Sequence, residues 1–246
     1  MRLFGRRDVG KYRFGKMAVR HDERTLKMAK YTADVPDPPE SYFPFNLNEV
    51  ISLFPLDANE RLGCCVVAGA AHYITNVHIR LGQKIVPTEK EVVDIYKKLS
   101  GCRDRGLVML DFLKYWRKNP MFGHEIELFG SVSLHNHRLI KQCIYLFGGV
   151  DLGFLVQPDA IRDFDSGTPW TPGTNGSGGH CVIAAAYDKF YYYILTWGGV
   201  IRATKEWWDS QVDECYAILP PEYKEPGFVL GFDGERLQRD FLSITN

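Results

Sequence analysis

The order of apolar and polar positions divides the chain into two kinds of segment. From Gly63 to Gly82 it reads GCCVVAGAAHYITNVHIRLG, small and apolar almost throughout, with Val67, Ala71, Ile74 and Ile79 at near-helical spacing. This predicts a helix buried on most sides, whose small residues let another element approach closely. Thr88 with Glu91 three positions on is a capping box, in which hydroxyl and carboxylate each satisfy an orphan backbone N–H. A second helix therefore follows over VVDIYKKLSG and stops at its glycine. Leu107 to Lys118 (LVMLDFLKYWRK) reads as a third, halted before Asn119-Pro120. Asn136 to Phe147 reads as a fourth, ended by Gly148-Gly149. Beyond them the period shortens. GVDLGFLVQ, HCVIAAAYD, YYYILTW and VIRATKE are β-rich runs bounded by Gly, Asp and Lys. A helical turn at Trp207-Trp208 and a last strand over ECYAILP complete the pattern. Helices lead and strands follow, which predicts an α+β fold: a helical lobe at about 42–148 packed on an antiparallel sheet lobe at about 149–246.

Residues 1–41 stand apart. Periodicity is weak over 1–33, where RTLKMAKYT reads as a short helix, and four prolines fall between Pro36 and Phe45. Proline removes donors and disfavours helix, so this stretch reads as an extended linker, with the body starting near Tyr42. The charge divides in the same place. The 246 residues sum to a net charge of zero, but residues 1–30 hold ten Lys or Arg against three Asp or Glu, and the rest hold twenty against twenty-seven. Such an arm lies on something acidic: its own body, other subunits of a larger assembly, or nucleic acid. No stretch approaches the ~20 apolar residues of a membrane span, and the basic N-terminus lacks the apolar run of a secretory signal. A cytoplasmic or particle-bound (virion) location is the expectation. With 45% hydrophobic and 24% charged residues, the chain reads as an ordinary globular protein able to build its own core.

Six cysteines occur, none in a C-x-x-C pair or a zinc-like spacing, so neither a metal nor another cofactor is expected. Cys143 and Cys215 lie in apolar runs and read as inert core thiols. Cys65 begins the first long helix, where the macrodipole and free N–H groups favour a thiolate, the reactive form. Read from physics alone, it is either a nucleophile or one of two buried cysteines among small residues. His180 follows Gly178-Gly179 and opens an apolar strand; it is either a proton carrier facing a cleft or a buried structural histidine. A nucleophilic Cys at a helix start with a His over a hundred residues downstream is a known catalytic arrangement.

The motifs add to this. Asn59-Glu60-Arg61-Leu62-Gly63-Cys64-Cys65 resembles the Asn-x-x-x-Gly-Asp-Cys motif of a compact branch of papain-like cysteine peptidases found in bacteria and phages. Leu110-Asp111 to Tyr115-Trp116, Ile144 to Val150, Gly178-Gly179-His180 and Thr196-Trp197-Gly198 follow in order, so the likeness covers roughly residues 20–240. The resemblance implies a papain-like fold, Cys65 as nucleophile and His180 as general base and acid. It implies Asn59, with the Cys65 N–H, as oxyanion donor. It places Gly63, Cys64 and Trp197 along the substrate-binding cleft, with a peptide or protein as substrate.

The chain departs from that pattern at two points. Cys64 stands where the branch has Asp, which leaves a vicinal thiol beside the nucleophile. Leu195 stands where papain-like peptidases place the Asn that orients the imidazole, so another group must hold His180. Two functions fit: a cysteine peptidase or amidase with a Cys–His dyad, or a weakly active papain-like module serving a larger assembly such as a phage particle through its arm. Other candidates read as structural. His72 lies seven residues after Cys65, ~11 Å along a helix and out of reach for direct proton transfer. His135 and His137 flank a helix start as capping or surface residues. Cys181 points from its strand to the face opposite His180. Asp151, Asp159, Asp163 and Asp165 lack calcium-loop spacing and read as a solvated acidic loop. Tyr191, Tyr192, Tyr193, Trp207 and Trp208 form an aromatic cluster that reads equally as the lining of a binding surface or as alternating core strand positions.

Overall fold

The computed structural model describes residues 11–174, 176, 178–221 and 232–245. Its helical half holds α1 (Val50–Leu53), α2 (Cys65–Arg80), α3 (Glu89–Ser100), α4 (Met109–Trp116) and α5 (His137–Phe147), with strand β1 (Leu128–Ser131) before α5. The second half runs β2 (Val150–Val156), α6 (Ala160–Ser166), β3 (Gly178–Tyr187), β4 (Tyr191–Thr196), β5 (Gly199–Thr204), α7 (Lys205–Gln211), β6 (Val212–Leu219) and α8 (Gly234–Thr245). The strands form one sheet in the order β1-β6-β2-β3-β4-β5, with every neighbouring pair antiparallel. This is the α+β architecture expected from the periodicity.

Local chemistry sets the element ends. Thr88 accepts from the Glu91 N–H while the Glu91 carboxylate accepts from the Thr88 N–H, and Gly101 closes α3 in the left-handed region at φ 66°. Asn136 caps α5 through the Leu139 N–H. Helix α2 is buried from Cys65 through His78. Its small residues allow β3 to lie close: a side chain at Gly69 would touch Cys181 Sγ at 3.5 Å and Asp151 Oδ1 at 3.7 Å. That contact joins the helical half to the sheet and fixes where the α2 N-terminus points.

Residues 11–41 are integrated with both halves. Tyr12, Leu26, Met28, Tyr31 and Val35 belong to the same buried cluster as α2 and the sheet. RTLKMAKYT forms only a 3-10 turn at Met28–Lys30. The proline-rich stretch is pinned to α5, whose Gln142 Nε2 donates to the Val35 and Pro36 carbonyls at 2.9 and 3.0 Å. Between the two buried parts of the arm, residues 17–24 are exposed or half-buried.

Asp151 corrects the sequence reading. It is not in a solvated loop but on β2, 3% exposed, accepting a hydrogen bond from the Cys181 thiol at 3.0 Å. Burial raises its pKa to about 7. Asp159, Asp163 and Asp165 do lie at the surface, in and beside the short α6. Strand β1 and helices α1 and α6, all short, and the twelve-residue amphipathic helix α8 are additions to the elements expected from the sequence. The cysteines are all free, Cys102 alone of the six being exposed.

Candidate active site

Cys65 is the first residue of α2, and its backbone begins the helix as the local sequence predicts. The Cys65 side chain is buried, 1% exposed. Its sulfur lies against two backbone N–H groups, those of Cys181 and Gly15, which stabilise negative charge on it. Burial outweighs them and pushes the thiol up to about 11. Cys181 follows His180 on β3, so the strand that carries the histidine also brings an amide donor to the Cys65 sulfur.

His180 is 2% exposed. Its Nε2 is hydrogen-bonded to Thr196 Oγ1 at 2.8 Å, and its Nδ1 is buried without a hydrogen-bond partner. Thr196 thus occupies the nitrogen left open by Leu195, which is fully buried and paired with Ile183 in the sheet. Burial, with a smaller contribution from His72, lowers the His180 pKa to about 3, so the ring is neutral. Trp197 stacks on the imidazole, ring centroids 4.9 Å apart and 18° between planes. Trp197 and Gly198 form the two-residue turn from β4 to β5, both at positive φ (48° and 77°). That turn geometry suits hairpins but is uncommon for tryptophan. The stacking on both faces of the indole holds it there.

The other expected site residues fall on the loop before α2. Asn59 is buried; its Nδ2 donates to the Leu56 carbonyl at 2.8 Å, and its Oδ1 has no partner. Its amide has a second N–H that this bond leaves over. Gly63 N–H donates to Asp104 Oδ1 at 2.8 Å, an oxygen that also takes the Tyr96 hydroxyl. Cys64 turns inward: its thiol donates to the Asp57 carbonyl at 3.1 Å, and burial raises its pKa well above that of a free thiol. His72 bonds the Pro55 carbonyl at 2.9 Å and lies 3.1 Å from Asp57 Oδ2, a buried pair behind the loop. His135 and His137 both bond Asp209 at the surface.

The N-terminal arm lies over Cys65 and His180. Residues 12–17 of the arm cross between the two lobes. Tyr12 stacks on the second face of Trp197 at 4.7 Å with the planes parallel to 1°. Phe14 packs 6.0 Å from the His180 ring. Gly15 passes so close that an added Cβ would sit 1.7 Å from the Gly63 carbonyl oxygen. Its carbonyl accepts from Leu107 N–H at 2.8 Å, and Met17 N–H donates to the Leu107 carbonyl at 2.9 Å. On the opposite wall Lys16 N–H donates to the Gly179 carbonyl at 2.9 Å, while Arg13 N–H donates to the Asn59 carbonyl at 2.6 Å. Gly15 therefore shows the sulfur an N–H and not a carbonyl carbon, its carbonyl being held by Leu107. Basic side chains of the arm also meet acids of the body: Lys11 with Asp165, Arg20 with Asp111, and Lys16 with Asp213 and Glu214. The basic surplus of residues 1–30 was the one sequence signal for this contact.

No family model and no curated protein matches the chain. Solved structures do. Xylellain, a cysteine protease from Xylella fastidiosa, superposes with a TM-score of 0.60 at 17% identity, covering 89% of this chain and 99% of its own. Procathepsin L2 proteinase from Tenebrio molitor larval midgut gives 0.55 at 14%, covering 85% and 78%. Procathepsin B from Trypanosoma congolense gives 0.54 at 13%, covering 84% and 86%. The fold is that of the papain-like cysteine proteases.

Proposed function

We propose that the chain is a papain-like cysteine hydrolase of peptide or amide bonds, held latent by its own N-terminal arm. The observation that carries this reading is the arrangement at His180: one ring nitrogen bonded to Thr196, the other buried and unpartnered, on the strand whose next amide touches the Cys65 sulfur. In the closed state both groups are neutral, with the thiol near 11 and the imidazole near 3. Proton transfer between them is then far uphill. Withdrawing Tyr12 to Lys16 would admit water to both groups and remove the burial that causes both shifts.

In the open state His180 Nδ1 takes the Cys65 proton and the thiolate attacks the substrate carbonyl carbon. The Cys65 N–H and the Asn59 amide donate to the oxyanion that forms. The tetrahedral intermediate collapses as the imidazolium gives its proton to the leaving nitrogen, releasing an amine and leaving a thioester on Cys65. A water molecule, deprotonated by His180, then attacks the thioester. The acid product leaves and the thiol is restored. Trp197 shields the His180–Thr196 hydrogen bond from solvent. Nothing in the comparisons supports the alternative of a structural module in a phage particle or the finer assignment to a bacterial and phage branch.

The test is covalent labelling with an electrophilic peptidase inhibitor, in a Cys102→Ser background that removes the exposed thiol. The adduct should map to Cys65, disappear in Cys65→Ala and slow by about 10²-fold or more in His180→Ala. Equal labelling of the wild type and His180→Ala would overturn the dyad.

A further inference from the structure

The arm also shows what one part of the cleft accepts. Lys16 leaves the main-chain hydrogen bonds described above and drops its side chain into a pocket of the sheet lobe, where only 1% of it remains exposed. Its Nζ lies 2.9 Å from Asp213 Oδ2 and 3.1 Å from Glu214 Oε1. Glu214 is itself 4% exposed, and its other oxygen accepts from the Tyr216 hydroxyl at 3.1 Å. Two glycines make the room. A Cβ on Gly153 would stand 2.0 Å from Lys16 Cε, and one on Gly179 would stand 2.2 Å from the Lys16 carbonyl oxygen. The pocket is thus open at its walls, acidic at its floor and adjacent to the residue whose N–H touches the Cys65 sulfur.

A carboxylate as buried as Glu214 favours a cation, because an apolar occupant would leave it unpaired or force it to take up a proton and an acidic one would repel it. Resting on the reading of the cleft as a hydrolase site, we propose that this pocket is a specificity subsite for a basic side chain of the substrate. The cleft then takes peptides bearing lysine or arginine at this position, and Lys16 is the arm's own occupant of the subsite. Backbone hydrogen bonds to Leu107 and Gly179 position the chain without reading its sequence; Asp213 and Glu214 read the side chain.

The experiment uses the full chain carrying Gly15→Val together with Lys16→Ala, in which the arm is forced off the Gly63 carbonyl and the pocket has lost its occupant, and a fluorescein-labelled peptide of residues 11–20. Anisotropy should show this peptide binding roughly 30-fold more tightly than its Lys16→Leu version, the loss expected when one partner of a buried charge pair is truncated. The Lys16→Glu version should bind more weakly still. Glu214→Gln in the protein should remove most of the lysine preference. Gly15→Val, which forces the arm off the Gly63 carbonyl and leaves the pocket residues untouched, is assayed beside it and should give the same order. Equal binding of the lysine and leucine peptides, or binding of neither to both variants, overturns the proposal. Fluorogenic amides bearing lysine, arginine, leucine or glutamate separate it from the hydrolase reading. A lysine preference in binding with no turnover of any amide keeps the subsite and removes the hydrolase. Equal turnover of lysine and leucine amides keeps the hydrolase and removes the subsite.

Discussion

The imidazole of His180 sits between a hydroxyl and a stacked indole. Thr196 Oγ1 takes Nε2 and leaves Nδ1 as the buried nitrogen without a hydrogen-bond partner. A hydroxyl is a weaker guide than a side-chain amide fixed by its own partners, so Thr196 is a positioning residue whose effect runs through His180. Thr196→Val keeps the volume and removes the bond. It should lower kcat roughly tenfold, the scale of one net hydrogen bond, with KM little changed, and Thr196→Ser should restore most of the rate. An unchanged kcat in Thr196→Val would mean that Trp197 packing alone orients the ring.

The titrations of His180 and Asp151 oppose one another. The folded-state pKa of His180 is depressed, from 6.5 to about 3, so its contribution to stability is present above the unfolded value and is lost as pH falls from 6.5 towards 3. Asp151 is raised, from 3.8 to about 7, so its contribution is present below 3.8 and is lost as pH rises towards 7. The wild-type stability curve alone mixes the two. Denaturant titrations should show the wild type losing stability relative to His180→Gln as pH drops from 7 to 4. The wild type should lose stability relative to Asp151→Asn as pH climbs over the same interval. A pH-independent difference in either comparison removes that group from the account.

At the level of elements, the six-residue crossing Tyr12–Met17 is the segment that lies over Cys65 and His180. Its fit depends on backbone proximity, and Gly15 is the tightest point. Gly15→Val should speed covalent modification of Cys65 by about tenfold or more, since overpacking of 1–3 kcal/mol acts directly on the closed arrangement; no acceleration would mean that the arm does not gate the thiol. This crossing was illegible in the sequence for a physical reason. It has no periodicity of its own, because its hydrogen bonds go to residues 59, 107 and 179, far away along the chain. Helices α2, α3, α4 and α5 were legible because their caps, spacing and stop signals are local, and the long strands β2, β3 and β6 because their runs are nearly all apolar. The helix start at Cys65 and the strand carrying His180 were legible from local patterning, whereas Thr196 needed the antiparallel pairing of β3 with β4 to bring it to the ring. Asp151 was misplaced because four aspartates close in sequence looked like one surface loop. Only burial on β2 separates it from the other three.

For the whole molecule, the arm is a strap across two lobes whose contacts come from opposite sides of the cleft. Arg13 and Gly15 hold the helical side, and Lys16 and Tyr12 the sheet side. Opening therefore requires release from both. The exposed or half-buried stretch at residues 18–24 lies between the crossing and the anchors Leu26 and Met28. A protease added in trans should nick the chain there before it attacks the body. Labelling of Cys65 should then accelerate, and a nicked chain that labels no faster than the intact one would refute latency by the arm.

The same exposed stretch determines how such a cut is felt. While it is whole, the crossing segment competes for the cleft at an effective concentration of order millimolar, whatever the protein concentration, because it is tethered to the site it fills. Once it is severed, occupancy becomes a bimolecular matter and falls on dilution. A concentrated solution of nicked protein would stay largely closed, a dilute one would open, and re-association would slow as the released piece disperses. The length of a few surface residues thereby turns an intramolecular plug into a dilution sensor.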